Sequence, residues 1–235
     1  MACVFDISGR YAMFRKSYTT TSSISFPFPP PTAAAGIIGA ILGFPHNANQ
    51  RADRADYWFK MRGTRVAIKI NRPINWYRTG INFINTKTYK MSDHTQIKHQ
   101  FVRDPSYRIY VDGPLEERLC ESLRNRNFHF SPFLGVAYCE ATIDWVGQFP
   151  ILKSPIHPVL DSVLPVGAGI PKIDIRKTGN LNQTLIPLQM SMTRRLQKTV
   201  NVLYKTENAP IVFREEDETE VNCVGGDAVS WFAPW

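Results

Sequence analysis

Apolar and polar residues alternate along residues 3–8, "CVFDIS", with Cys3, Phe5 and Ile7 on one side and Val4, Asp6 and Ser8 on the other. This is the period of a strand with at least one buried face. The pattern breaks at "RYAMFRKSYTTTSS", where Arg10, Arg15, Lys16 and Tyr18 stand among hydroxyl residues with no apolar period to bury them, so an exposed loop is expected. Three prolines and Thr32 then lead into the apolar run Ala33–Phe44. Thr32 is a good N-cap, and a helix is expected to start near Ala33. Gly36, Gly39 and Gly43 each lower its propensity by up to about 1 kcal/mol, which suggests that they let another backbone approach closely.

Further along, "RVAIKINRPI" places Val66, Ile68 and Ile70 opposite Arg65, Ala67 and Lys69, the pattern of a strand with a cationic outer face. "FVRDPSYRIYVDG" (101–113) alternates Tyr107, Ile109 and Val111 with Arg108 and Tyr110 before a turn at Asp112-Gly113. A second helix follows, with Pro114, Glu116 and Glu117 suited to its first turn and Leu115, Leu119 and Leu123 at helical spacing. Strand character returns over 133–147, "FLGVAYCEATIDWVG". The order strand, helix, strand, strand, helix, strand predicts an α+β fold of the split βαβ, ferredoxin-like (RRM-like) type over residues 1–150. An insertion at 75–100 holds four Lys and Arg, two histidines and one acid, Asp93. A connection that long inside a compact domain is usually functional, and it is expected to form a projecting thumb, in the form of a hairpin. Beyond Pro150, proline and glycine break the chain into short strand candidates, so 151–235 is expected to be a smaller β-rich region. The acidic run Glu215–Glu220 suits a solvated turn.

Charge adds a function class to this outline. The net charge is +8, but residues 1–110 carry 16 Lys and Arg against 5 Asp and Glu, and residues 111–235 carry 12 against 15. Positive charge concentrated in one half suits a polyanion, because released counterions supply affinity independent of sequence. Four scattered cysteines, Cys3, Cys120, Cys139 and Cys223, form no C-x-x-C pair and suggest reduced thiols and neither zinc site nor disulfide framework. The N-terminal residues lack signal-peptide features, and the longest apolar run is about half the ~20 residues a membrane helix needs. A cytoplasmic protein is expected. The glycine-spaced run also lacks the G-x-x-x-x-G-K-[ST] pattern of a phosphate loop.

The candidate chemistry is RNA or DNA binding. Arg10, Arg15, Lys16, Arg78, Lys87, Lys90, Lys98, His99, Arg103 and Arg108 are read as phosphate and base contacts, since arginine can both fork a phosphate and stack on a base. Phe14, Tyr18, Trp76, Tyr77 and Phe83 interleave with them as a single-strand platform requires. A catalytic alternative uses Lys98, His99 and a tyrosine, Tyr11 or Tyr18: the His or Tyr would take a proton from a 2′-hydroxyl and the lysine would stabilise charge on the phosphate. No pair of histidines has metal-ligand spacing, and no metal or cofactor is expected.

The stretch "FRKSYTTTSSISFPFPPPTAAAGIIGAILGF" resembles the N-terminal signature of the CRISPR-associated Cas-five family, a strand and an Arg-containing loop leading into a Pro-Pro-Thr and Gly-x-x-Gly helix. "FVRDPSYRIYV" and "FLGVAYCEATI" are similar to that family in the same order, so the resemblance covers residues 3–150. It implies a ferredoxin-like domain with a thumb in a type I interference complex (Cascade), gripping the 5′ handle of the CRISPR RNA. The implied partners are the Cas-seven-family backbone subunit, whose filament it would cap, the large subunit, and through them the target DNA. One branch of the family cuts precursor RNA with tyrosine, lysine and histidine, which Lys98-His99 resembles. The proline-rich signature points toward a non-cutting, type I-B-like member.

Overall fold

The computed structural model describes residues 1–19, 22–45, 55, 57–84, 94–153, 159–167, 169, 171–214 and 219–235. The principal elements are β1 (Ala2–Ser8), α1 (Pro31–Leu42), α2 (Tyr57–Lys60), β2 (Arg65–Ile70), β3 (Asn75–Ile84), β4 (His94–Arg103), β5 (Ser106–Asp112), α3 (Glu116–Arg124), β6 (Thr142–Phe149), β7 (Asn182–Met190) and β8 (Leu196–Tyr204). Shorter strands are named by their residues. The architecture is mixed α/β, with many strands and few helices.

Four strands form the central sheet in the order β6-β1-β5-β2, all neighbours antiparallel. Its two faces are buried differently, as the alternation requires. Cys3, Phe5, Ile7, Val66, Ile68, Ile109 and Val111 enter the main core with α1 and α3, while Ala2, Val4, Ala67 and Tyr110 meet Val224 and Val229 from the C-terminal region. The strand 65–70 therefore lacks the solvated cationic face its sequence suggests. Arg65 donates to Asp112 at 2.7 Å and Lys69 to Asp227 at 2.6 Å, because the C-terminal chain covers that side.

Helix α1 begins at Pro31, two residues before Ala33, and its N-cap is Pro30 with no side-chain cap, so Thr32 does not serve as one. Pro31 sits where a missing N–H costs nothing and its fixed φ suits the first turn. The glycines also act otherwise than expected. A Cβ at Gly36 would meet open space, and one at Gly39 would meet only side chains, so neither marks a close backbone approach. Gly43 alone is conformationally required: it ends the helix at φ 72°, and a Cβ there would lie 2.7 Å from the His129 ring. Helix α3 buries Leu119, Cys120 and Leu123, with Glu116 and Glu117 in its first turn and Pro114 just upstream. Residues 133–141 are mostly turn and bend; the strand predicted over 133–147 begins only at Thr142.

The insertion is an antiparallel hairpin of two ten-residue strands, β3 and β4, paired from Asn75↔Arg103 to Ile84↔His94. Two short strands tie the basic loop to it. Tyr11–Ala12 pairs with Arg103 and Val102, and Ser22–Ser23 runs parallel to Lys98–His99.

The C-terminal region is β-rich, with β8 between β7 and Leu164–Val166, and it holds a small core of Leu160, Leu164, Ile173, Ile211, Phe213, Val221 and Ala228. Packing does not divide at residue 150, however. Ile186, Leu188, Val202, Phe232 and Trp235 belong to the main core, and the Trp235 indole donates to the Leu188 carbonyl at 3.0 Å. Most of the acidic run, residues 215–218, lies outside the described residues.

Candidate nucleic-acid interface

Strand register sorts the arm into two faces, since successive side chains point to opposite sides. One face carries Tyr77, Phe83, His99 and Phe101. His99 stacks between Phe83 and Phe101, with ring centroids 5.7 and 5.8 Å away, and Tyr11 packs on Tyr77 and Phe101. The other face carries Trp76, Arg78, Asn82, Gln96, Lys98 and Gln100. Along its flank a cavity of about 500 Å³ is lined by Ser22, Ser23, Arg78, Lys98 and Gln100, and His99 also borders it from its nearly buried position. Among the described residues, neither Arg78 nor Lys98 is ion-paired. Two exposed cations beside amide and hydroxyl groups, with no carboxylate among the described residues of the groove, can hold a phosphodiester backbone and donate to it.

The expected site residues separate into three groups. Arg78, Lys98 and Trp76 share the polar face of the arm, and Arg103, at the base of β4, is exposed beside Asp104. Arg10, Arg15 and Tyr18 are exposed on the basic loop, where Arg15 donates to the Thr19 carbonyl at 3.1 Å; half-buried Lys16 lies 5.3 Å over the Phe26 ring. Arg15 and Tyr18 line a second cleft, of about 400 Å³, with Trp58 and the β7–β8 hairpin. The third group is not available to RNA. Phe14 is 3% exposed and packs edge-on against Tyr107 in the core. Arg108 donates to both oxygens of Asp6, at 2.8 and 3.0 Å, and to Asp227 at 3.1 Å. Those bonds, Asp6 foremost, raise its affinity for its proton and commit the guanidinium to carboxylates. Lys87 and Lys90 lie outside the described residues.

Of the catalytic alternative, Lys98 and His99 border the same cavity, but neither Tyr11 nor Tyr18 lines it. His99 is 5% exposed, and its Nδ1 lies 3.0 Å from the Ile97 carbonyl, which can only accept, so Nδ1 carries the proton. Its ring is part of a stacked row. Tyr18 lines the other cleft from Lys98, and Tyr11 is held among aromatic rings. Sequence reasoning missed Gln100 on the arm and the β7–β8 hairpin beside the loop. The alternation in "TLIPLQM" and the cations of "RRLQK" were the available signals. No group of three or more His, Cys, Asp or Glu side chains among the described residues could hold a metal, and no helix among them is long and apolar enough to cross a membrane.

Solved structures share this fold. One, titled a CRISPR RNA-guided surveillance complex, is 13% identical, covers 89% of this chain and 91% of its own, and superposes with a TM-score of 0.52. A CRISPR protein from Archaeoglobus fulgidus is 13% identical over 97% of this chain and 98% of its own, with a TM-score of 0.54. A chain of the type III-B Cmr-beta complex bound to cognate target RNA and AMPPnP is 13% identical over 89% of this chain and 86% of its own, with a TM-score of 0.50. The chain thus has the fold found in CRISPR-associated proteins. Residues 3–159 match the family described as CRISPR-associated protein (Cas_Cas5), and the chain belongs to that family. No match was found among curated proteins.

Proposed function

We propose that this chain is a non-catalytic RNA-binding subunit of a type I CRISPR interference complex, Cascade, that grips the 5′ handle of the CRISPR RNA. The carrying observation is the polar face of the arm, where Arg78 and Lys98 stand exposed, without carboxylate partners among the described residues, beside Ser22, Ser23 and Gln100. Family membership supports a place in a CRISPR ribonucleoprotein. On this reading the Cas-seven-family backbone, capped by this subunit, and the large subunit are its protein partners in the cytoplasm. The sheet order β6-β1-β5-β2, with one helix following β1 and another following β5, supports a ferredoxin-like assignment. The proline-rich signature supports a type I-B-like member. Burial of His99 and its separation from Tyr18 favour positioning of RNA over cleavage.

The test is binding of single-stranded RNA across a salt series. Replacing Arg78 and Lys98 by alanine is expected to weaken binding and to flatten the log–log salt dependence by about 0.7 for each phosphate that is no longer neutralised. Unchanged affinity and slope would overturn the assignment. Incubating the chain with a repeat RNA in chelator checks the catalytic alternative: intact RNA is expected, and a specific cut that disappears in His99→Ala would establish an endoribonuclease.

A further inference from the structure

The second cleft shares no lining residue with the groove of Arg78 and Lys98. Its floor is apolar and aromatic, with Phe26 and Trp58 each nearly buried and Tyr57 beside them. One wall is the basic loop, with Arg15 and Tyr18; the other is the β7–β8 hairpin, with Leu185 and Met190. Its mouth is unusually apolar for a free surface, since Tyr18 is 70% exposed, Leu185 52% and Leu196 50%. Among the described residues no carboxylate lines it, Arg15 does, and the hairpin presents Arg195 and Lys198 to solvent.

We propose that this cleft captures one unstacked base of the bound RNA strand, which makes the C-terminal hairpin part of the RNA interface. The inference rests on the RNA-binding reading. The exposed Tyr18 ring suits a base because every base has a π-face, and about 400 Å³ lies within the range of small-ligand sites, ~300–1,000 Å³. Position adds the second argument. Arg15 pairs with Ser25, two residues from Ser22–Ser23, which run alongside Lys98–His99 on the arm. A strand following the cations from Arg78 and Lys98 to Arg15 brings its next base to the mouth of the cleft. The positive rim complements the phosphate on either side of that base.

The test uses the full chain and a randomised single-stranded RNA of about eight nucleotides, within the range of one single-strand site, carrying 4-thiouridine at each position in turn. Photocrosslinks to Tyr18, Trp58 or Met190 are expected beside those on the arm. Met190→Trp, which fills the cleft, is expected to lower affinity roughly tenfold while leaving the salt slope unchanged, because it removes stacking and leaves the phosphates neutralised. Tyr18→Ala, at an exposed position, gives the same readout should the filled variant melt early by circular dichroism. Crosslinks on the arm alone, or wild-type affinity in these variants, would overturn the base pocket and leave RNA binding standing. Absence of crosslinks anywhere at low salt would overturn both. A polyglutamate peptide that binds the wild type but not Met190→Trp, with RNA binding unaffected, would assign the cleft to a protein partner and overturn the proposal.

Discussion

Two glycines of one helix behave oppositely, and the difference is set by what a Cβ would meet. Gly36 faces open space in a helical interior, so Gly36→Ala is expected to stabilise the protein by about 0.5–1 kcal/mol through reduced unfolded-state freedom. Gly43 holds φ 72° against the His129 ring, so Gly43→Ala is expected to destabilise by roughly 1–2 kcal/mol or more. Urea titrations of both variants check the sign of each. The glycine spacing is legible in the sequence, but which glycine is needed is not, because that depends on a ring more than 80 positions away in the chain. Arg108 makes the same point. It reads as one more cation of a basic half, yet its partners Asp6 and Asp227 come from the first and last strands of the chain.

At the scale of elements, the arm was legible because its composition departs from its surroundings and its strands are long. The division of labour between its faces was not, because it depends on register. Lys98 and His99 are adjacent in sequence and lie on opposite faces. His99→Phe is therefore expected to keep the stacked row and to bind RNA with wild-type affinity, whereas His99→Ala opens a gap between Phe83 and Phe101 and is expected to cost about 1–2 kcal/mol of stability. Thermal melts and RNA titrations of the two variants separate a packing histidine from an RNA-contacting one. The strand expected at 133–141 failed for a related reason. Leu134 and Cys139 bury themselves in a turn-rich segment, and Gly135 sits at φ 96° against the Met13 carbonyl, a close approach that alternation in the sequence does not report.

Across the whole molecule, the C-terminal region is fastened to the sheet by a polar cluster. Burial alone would raise the Asp227 carboxyl, but hydrogen bonds from Lys69, Tyr110 and Arg108 outweigh it and hold its pKa below the ordinary value. A depressed carboxylate pKa stabilises the fold above its unfolded value, about 3.9, and that contribution fades as pH falls through the folded pKa. Asp227→Asn is expected to be less stable than the wild type at neutral pH, with the difference shrinking on acidification below about pH 4. Urea midpoints at a series of pH values measure this directly; a difference independent of pH would show that charge is not what the cluster contributes. RNA affinity should stay constant in this variant, since the cluster lies on the sheet and not on the arm.

By itself the sequence determined the elements whose information is local: the alternating strands, the two main helices, the basic insertion and the imbalance of charge between the halves. Period and composition are properties of neighbouring residues, so they survive without a fold. Only tertiary structure decided which cations stay exposed, and it did so by bringing Asp6 and Asp227 to Arg108 and no described carboxylate to Arg78 or Lys98. It also decided that Trp235 closes the core begun by β1, and that the β7–β8 hairpin stands beside the basic loop. Those are contacts between residues far apart in the chain, and their free energy depends on burial and pairing that no local pattern contains.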